Sequence, residues 1–484
     1  MKTHQINKVQ DLRVIIICIL ASVVMLFTSC NHKQSADETT DTEKVLPNII
    51  YVLADDLGYG DLGSYGQKQV MTPQIDRLAK EGMRFTQHYA GSTVCAPSRC
   101  ALMTGMHIGH AKVRGNATVP LDSTDITIPE LLKQAGYATG LIGKWGLGEA
   151  GSSGIPNKKG FDYFFGYLSQ RRAHNYYTDY LWRNEEKVPL NNELVFMEEG
   201  YAKGVGSAAT VRNEYSHDLM AEEALAFIEK NQKVPFFLYL AFTIPHANNE
   251  HHLVDKHGME VPNYGDYADM DWPEPQKGTA AMISRLDKDI GRMLDLLVEL
   301  GIDSNTVVFF SSDNGPHREG LNDPDFFDSN GPLRGIKRDF YEGGIRVPFL
   351  ARWPAKIKPG SVSEHISAFW DLLPTVVEMA GVQSPVDIDG ISFLPELTGR
   401  PQQTHEYLYW EFYEQGGKQA VRKDKYKAVR LDVKKDRNGP IQLYDLSADI
   451  GETTDVAEGN PEIVAEMAKI MNTARTDSEV FTFD

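Results

Sequence analysis

A chain of 484 residues is too long for one compact hydrophobic core and predicts a large domain with a smaller one beside it. Hydrophobic residues at 42% and charged residues at 24% exclude a disordered chain as the default. A net charge of −18 excludes nucleic-acid binding through the general surface field, so an anionic ligand needs a local basic pocket.

Lys2, Lys8 and Arg13 precede an apolar run from Val14 to Phe27. The run is too short and isolated for a membrane-spanning helix and reads as the core of a signal peptide. It ends in Leu26-Phe27-Thr28-Ser29-Cys30, which resembles a bacterial lipoprotein signal, with Phe27 where that pattern usually has leucine. The resemblance implies lipidation of Cys30 and an exported, membrane-anchored protein, periplasmic or on the outer surface. An ordinary cleaved signal is the alternative. Residues 1–29 are then the signal, and the polar stretch 30–46 is a flexible tether. Losing residues 1–29 removes three basic side chains and one acidic one, which leaves a charge of about −20. Cys95 and Cys100 remain, and in an exported protein they can form a disulfide.

Asn48 to Leu53 is a buried strand leading into Asp55-Asp56. Phe236 to Phe242 leads in the same way to Pro245-His246, and Thr306 to Phe310 to Asp313-Asn314. Between them, Tyr215 to Lys230 and Thr279 to Leu300 have helical periodicity, and Gly301 stops the second. Strands alternating with helices predict an α/β sheet, with polar residues at strand ends as its site. After Gly399, alternating runs at Tyr407 to Phe412 and Lys418 to Arg430 and a helix from Pro461 to about Arg475 predict a small antiparallel sheet plus helix. The expected division is a catalytic domain at 47–385 and a C-terminal subdomain at 386–484.

The segment Cys95-Ala-Pro-Ser-Arg-Cys-Ala-Leu-Met-Thr-Gly105 carries the most chemistry. From residue types alone, Pro97 and Ser98 are turn residues, and Arg99 stands beside a thiol that it can help ionise. The segment resembles the sulfatase signature C-x-P-S-R-x-x-L-x-T-G at every fixed position. Asp55-Asp56, Gly143-Lys144-Trp145, Pro245-His246, Ser312-Asp313-Asn314-Gly315, Gly343-Gly-Ile-Arg-Val-Pro348 and a late Leu443-Tyr-Asp-Leu446 with Glu452 and Asp455 follow the family's order. Residues 47 to about 475 thus look like a formylglycine-dependent sulfatase of the alkaline-phosphatase-like superfamily. That fold is a large mixed sheet sandwiched by helices.

The resemblance implies that a maturation enzyme oxidises Cys95 to formylglycine, whose hydrate attacks sulfur through one hydroxyl and expels sulfate through the other. Asp55, Asp56, Asp313 and Asn314, with residue 95, are the implied ligands of one divalent cation. Oxygen donors suit calcium better than zinc. Arg99, Lys144 and Lys337 form an expected cationic clamp on the anionic transition state. Lys337 is placed there because Leu333-Arg-Gly-Ile-Lys337 precedes Gly343-Gly344 as a catalytic lysine does in the family. His246 is the expected general acid.

The chain departs from the family at one position. The usual Gly-Lys-Trp-His-Leu-Gly reads Gly143-Lys-Trp-Gly-Leu-Gly148, so glycine stands at 146 where a histidine contacts the formylglycine hydroxyls. His174, in the stretch Gln170-Arg-Arg-Ala-His-Asn-Tyr-Tyr177, is the expected replacement. Arg114, Asn116, Arg171, Arg172, Tyr176, Tyr177 and Trp182 can line a sugar pocket. The implied substrate is a sulfated carbohydrate, of galactose or N-acetylgalactosamine type. A phosphate- or phosphonate-ester hydrolase and a non-catalytic glycan-binding relative are the alternatives.

Overall fold

Runs of Ile, Val, Leu and Phe at 48–54, 236–241 and 306–312 form the middle of a ten-stranded mixed sheet. The structure is a computed structural model that describes residues 46–200 and 202–484; the expected signal, Cys30 and the tether up to residue 45 lie outside the described residues. The strands are β1 (Asn48–Ala54), β2 (Met83–Phe85), β3 (Ala138–Lys144), β4 (Tyr163–Tyr167), β5 (Tyr180–Arg183), β6 (Glu186–Pro189), β7 (Phe236–Ala241), β8 (Thr306–Ser312), β9 (Phe349–Arg352) and β10 (Ser361–Ser363). Their order across the sheet is β10-β2-β9-β8-β1-β7-β3-β4-β5-β6. β8, β1, β7, β3 and β4 run parallel. Both faces of these strands are covered, which is why they read as nearly continuous apolar runs.

The period of two splits each strand between two cores. Ile49, Tyr51 and Leu53 join one, with Val307 and Phe309. Ile50, Val52 and Ala54 join the other, with Val308 and Phe310. Helix α1 (Pro73–Glu81), α3 (Ser216–Asn231) and α4 (Glu274–Glu299) cover the second core. Helix α2 (Cys95–Thr104) and α5 (Leu372–Ala380) cover the first. α4 begins five residues before its expected start at Thr279, because Pro273 caps it and Pro275 is accepted in the first turn.

All ten residues of α2 are buried. A helix apolar on every side must be enclosed by protein. Pro97 and Ser98, expected in a turn, stand in its first turn, where proline costs no hydrogen bond. Cys95 and Cys100 are both free. Five residues along one helix points them about 140° apart, which rules out the expected alternative of a disulfide between them.

The C-terminal strands β11 (Leu408–Phe412), β12 (Lys418–Lys423), β13 (Tyr426–Leu431) and β14 (Ile441–Asp445) form an antiparallel sheet backed by α6 (Pro461–Thr473). The run from Lys418 to Arg430, expected as one piece, is two strands, because Asp424 at φ +49° turns the chain. Alternation again decides the packing. Tyr409, Val421 and Ala428 meet Met467 and Met471 of α6. Leu408, Trp410, Phe412 and Val429 enter the first core of the large sheet.

Candidate active site

Strand register brings the site together. Ala54 of β1 pairs with Ser312 of β8, Leu53 with Ala241 of β7, and Ala241 with Gly143 of β3. The chain therefore leaves these four strands at one edge, where it presents Asp55-Asp56, Asp313-Asn314, His246 and Lys144. Gly143 is needed for this. Its φ is +120°, and a Cβ there would lie 2.0 Å from the Ala241 carbonyl oxygen. α2 delivers Cys95 to the same edge at its N-terminus, where the helix dipole favours negative charge.

Arg99, one turn along α2, ties the helix to the sheet. Its Nε and Nη2 donate to Asp313 Oδ2 at 3.0 and 2.8 Å, and its Nη1 donates to the Lys144 carbonyl at 2.8 Å. Lys144 Nζ donates to Asp55 Oδ2 at 2.7 Å. Asp56 is held at φ +65° by three bonds. Its N–H donates to Asp313 Oδ1 at 3.1 Å, and its carboxylate accepts from Asn314 Nδ2 and Lys337 Nζ, each at 2.7 Å. Such backbone strain persists where surrounding contacts over-determine it, and it concentrates at functional sites. The rest of the signature is architectural: Ser98 Oγ accepts from the Gly91 N–H at 3.1 Å, and Thr104 Oγ1 donates to the Cys100 carbonyl at 2.8 Å.

Asp55, Asp56, Asp313 and Asn314 are each no more than 1% exposed. Burial opposes ionisation of Asp55, but Lys144 and Arg99 outweigh it and hold the carboxyl below its usual range. Burial pushes the Cys95 thiol up, with Lys144 acting against it. A thiol held neutral is a poor nucleophile, which fits a site that does not use residue 95 as a plain cysteine.

The donor set fits a hard divalent cation. Asp55 Oδ1 and Asn314 Oδ1 are buried acceptors with no hydrogen-bond partner. One ligand atom from each of Asp55, Cys95 and Asp313 lies within 4.8 Å of the other two. Three carboxylates face the three cations Arg99, Lys144 and Lys337. A divalent ion would make this balanced cluster net positive, as a sulfate ester and an ionised nucleophile require.

His246 Nδ1 lies 2.6 Å from the Ala247 carbonyl and donates to it, so Nε2 is left to accept from Lys337 Nζ at 3.1 Å. Burial, with Lys337 beside it, holds the imidazole well below its ordinary value and therefore neutral. Tyr176 Oη donates to the carbonyls of Thr243 and His246 and fixes this loop. Sequence reasoning missed His317 and Glu319. Glu319 pairs with Lys337 at 3.4 Å and Arg338 at 2.5 Å, and His317 stacks on His246 with ring centroids 5.6 Å apart. The signal was available, since both follow shortly after Asp313-Asn314 at the same strand end.

His174, expected to replace the histidine missing at 146, stacks on His246, centroids 4.7 Å apart, with Nδ1 3.4 Å from Glu250 Oε2. Gln170 is the side chain that reaches Cys95, its Nε2 lying 3.1 Å from Sγ. His174 closes the short helical turn Arg172–His174, four residues after Gln170. Most of the expected sugar-pocket residues are also structural. Arg114 is buried against Glu411 at 3.0 Å and Thr476 at 2.7 Å, and Arg172 pairs with Asp179. Tyr177 packs on Tyr215 in the core, and Trp182 is a strand residue of β5 packed against Tyr180. Asn116 and Arg171 do line a cavity of about 170 Å³ with Gly146 and Gln170, next to Cys95.

The family model described as Sulfatase matches residues 47–382, and one described as N-sulphoglucosamine sulphohydrolase, C-terminal, matches residues 336–477. The chain is 32% identical to an N-acetylgalactosamine-6-O-sulfatase of Bacteroides thetaiotaomicron over 94% of this chain and 97% of that protein. It is 34% identical to the N-acetylgalactosamine-6-sulfatase of Homo sapiens over 72% of this chain and 66% of the relative. The fold superposes on the crystal structure of Ps i-CgsB in complex with k-i-k-neocarrahexaose at a TM-score of 0.74 and 28% identity, covering 89% of this chain and 92% of that one. With the family model spanning residues 47–382 and a relative 32% identical over nearly its whole length, the chain belongs to the sulfatase family, enzymes that hydrolyse sulfate esters on an alkaline-phosphatase-like fold.

Proposed function

We propose that this sulfatase removes a sulfate ester from a carbohydrate, of the 6-O-sulfated N-acetylgalactosamine or galactose type, with formylglycine at position 95 and one calcium ion. The observation that carries the mechanism is Cys95 at the N-terminus of α2 within 4.8 Å of carboxylate oxygens of Asp55 and Asp313, in a cluster where Asp55 Oδ1 and Asn314 Oδ1 are buried acceptors without partners. The saccharide reading is supported by the relatives: two are N-acetylgalactosamine-6-sulfatases, and the matched crystal structure holds a carrahexaose.

The converted residue would supply two hydroxyl oxygens on one carbon, and the calcium ion held by Asp55, Asp56, Asp313 and Asn314 would supply Lewis acidity to the nucleophile and a sulfate oxygen. The chain's own groups do the rest. Arg99 holds Asp313 and the Lys144 carbonyl in place, so the carboxylates keep their geometry. Lys144 and Lys337 are buried cations that stabilise charge on the transferring sulfuryl group. Lys337 stays protonated because Asp56 and Glu319 outweigh burial. Lys337 Nζ, which donates to His246 Nε2 at 3.1 Å, holds the proton for the departing alcohol oxygen, and Nε2 is placed to take it from Nζ and pass it on. Phosphate-ester hydrolysis and mere glycan binding are set aside, because the signature and the cationic groups are complete in place.

The chain ahead of the enzyme is proposed to be a lipoprotein signal with Cys30 as the lipidated residue, which would place the enzyme outside the cytoplasm on a membrane. A maturation enzyme would then act on Cys95. Among the described residues, no helix is long and apolar enough to cross a membrane.

The test is peptide mass spectrometry of active protein together with a panel of monosulfated sugars and an aryl phosphate. The expected result is an aldehyde at position 95 and preference for a 6-sulfated galactose-type sugar. Activity from protein with only cysteine at 95 overturns the mechanism, and faster turnover of the phosphate overturns the substrate class.

A further inference from the structure

Gly146 lies two residues beyond the end of β3 at φ +78°, and its N–H donates to the Leu168 carbonyl at 3.1 Å. A Cβ at this position would lie 3.3 Å from Gln170 Oε1 and 3.7 Å from Gln170 Cβ. The space beside Gly146 is therefore taken by the side chain of Gln170. The other end of the same amide donates through Nε2 to Cys95 Sγ at 3.1 Å. Sγ stands in for an oxygen on the same carbon of the converted residue. Gln170 also forms part of the wall of the cavity of about 170 Å³ that it shares with Asn116, Thr118, Gly146 and Arg171. Asn116 is anchored at the same point, its Oδ1 accepting from the Ala96 N–H at 3.3 Å.

We propose that Gln170 is a contact residue of the reaction: it occupies the volume that Gly146 leaves open and donates an amide N–H to the nucleophilic oxygen of residue 95. The proposal rests on formylglycine at 95. A carboxamide has two donors and one acceptor and does not ionise in the working range. Gln170 therefore orients the nucleophile and stabilises charge on it, but takes no proton from it. That separates its role from a histidine's, and it couples Gly146 to Gln170: a side chain at 146 would press on the amide that reaches residue 95. Among the described residues no imidazole lines this cavity, and His174 is stacked on His246.

The experiment compares Gln170→Met, which keeps the volume and removes the donor, with Gln170→Ala, which removes both. Wild-type and variant proteins are first checked for the aldehyde at 95 by peptide mass spectrometry and for unchanged melting temperature. Two readouts follow: kcat and KM with the preferred sulfated sugar, and, without substrate, the rate at which an aminooxy reagent labels the aldehyde in the folded protein. Both variants are expected to lose about 10- to 100-fold in kcat with KM within about twofold, as loss of an aligned donor predicts. Both are expected to label several-fold faster, because the hydrate that resists the reagent has lost the donor that holds it. Gln170→Met with kcat and labelling within about twofold of wild type overturns the proposal. So does faster labelling in Gln170→Ala alone, which reports access and not a hydrogen bond. Active wild type with unmodified cysteine at 95 overturns the formylglycine reading instead, and the kcat of the same two variants still decides whether the amide matters.

Discussion

Two of the buried charge clusters among the described residues invite comparison, the candidate active site and one at the C-terminal sheet. At the sheet edge, Asp55, Asp56 and Asp313 meet Arg99, Lys144 and Lys337. Where the C-terminal sheet joins the main core, Glu342 and Glu452 meet Lys427 and Arg346. Both are buried and both mix signs. They differ in what lies beside their oxygens. Glu342 accepts from Lys427 at 2.9 Å, Tyr89 at 2.8 Å and Arg346 at 3.1 Å, and Glu452 accepts the Glu342 N–H at 2.6 Å. Glu452 Oε1 has no hydrogen-bond partner, as Asp55 Oδ1 and Asn314 Oδ1 have none, but at the sheet edge Asp55 and Asp313 lie beside Cys95. Buried charge alone does not mark a site; acceptors left open beside a nucleophile do.

The sharpest way to break this comparison is to remove chemistry from one cluster and not the other. Cys95→Ala is expected to abolish turnover, and Asp313→Ala to lower kcat by a factor on the order of 10³ or more, since it removes a cation ligand and the partner of Arg99 together. Circular dichroism should show both proteins folded. Asp313→Ala with near wild-type kcat would mean that the sheet-edge cluster is structural too.

The converse change is Lys427→Met. It leaves Glu342 and Glu452 buried without their shared cation and is expected to cost about 3–5 kcal/mol of stability. Urea melts measure the loss. Turnover per folded molecule should stay within about twofold, and a large fall in kcat at full folding would tie this cluster to catalysis.

Chelation should separate the clusters by cation linkage. Calcium at about 100 times its dissociation constant stabilises the folded state by about 2.7 kcal/mol. That increment should appear in wild-type melts and vanish in Asp313→Ala, while Lys427→Met keeps it. A calcium increment that survives Asp313→Ala would place the ion elsewhere.

The smallest expected effect is on pH dependence. Burial, reinforced by Glu342 and opposed by Lys427, pushes Glu452 above its ordinary range. The folded state then binds more protons than the unfolded one just above the ordinary glutamate value. Stability contributed by this group is present at low pH and declines as pH rises through that window. Replacing it, Glu452→Gln should flatten the decline, by on the order of 1 kcal/mol between pH 4.5 and 7. An unchanged slope would show that Glu452 does not titrate there.

Much of the molecule is legible in the amino-acid chain itself. Apolar runs bounded by polar pairs mark β1, β7 and β8, because strands buried on both faces leave no alternation to obscure them. The resemblance to the signature, more than the residue types themselves, singles out Cys95, Arg99 and the expected oxygen ligands, and the signature positions serve local needs: Arg99 reaches the sheet from one turn beyond Cys95, and Ser98 and Thr104 close local hydrogen bonds. Tertiary structure decides what depends on contacts between distant segments. Glu452 reads in sequence only as a position in the family's order, and in the fold it closes the joint between β13 and the turn at Glu342. Glu319 acquires its role only when Lys337 folds back beside it. Gly146 reads as a loss until the chain from β4 brings Gln170 into its empty volume, while His174 stacks on His246. A sequence gives the identity of each donor and acceptor, but the 3 Å that joins amide to nucleophile is set by where separate strands end and how the loops between them pack.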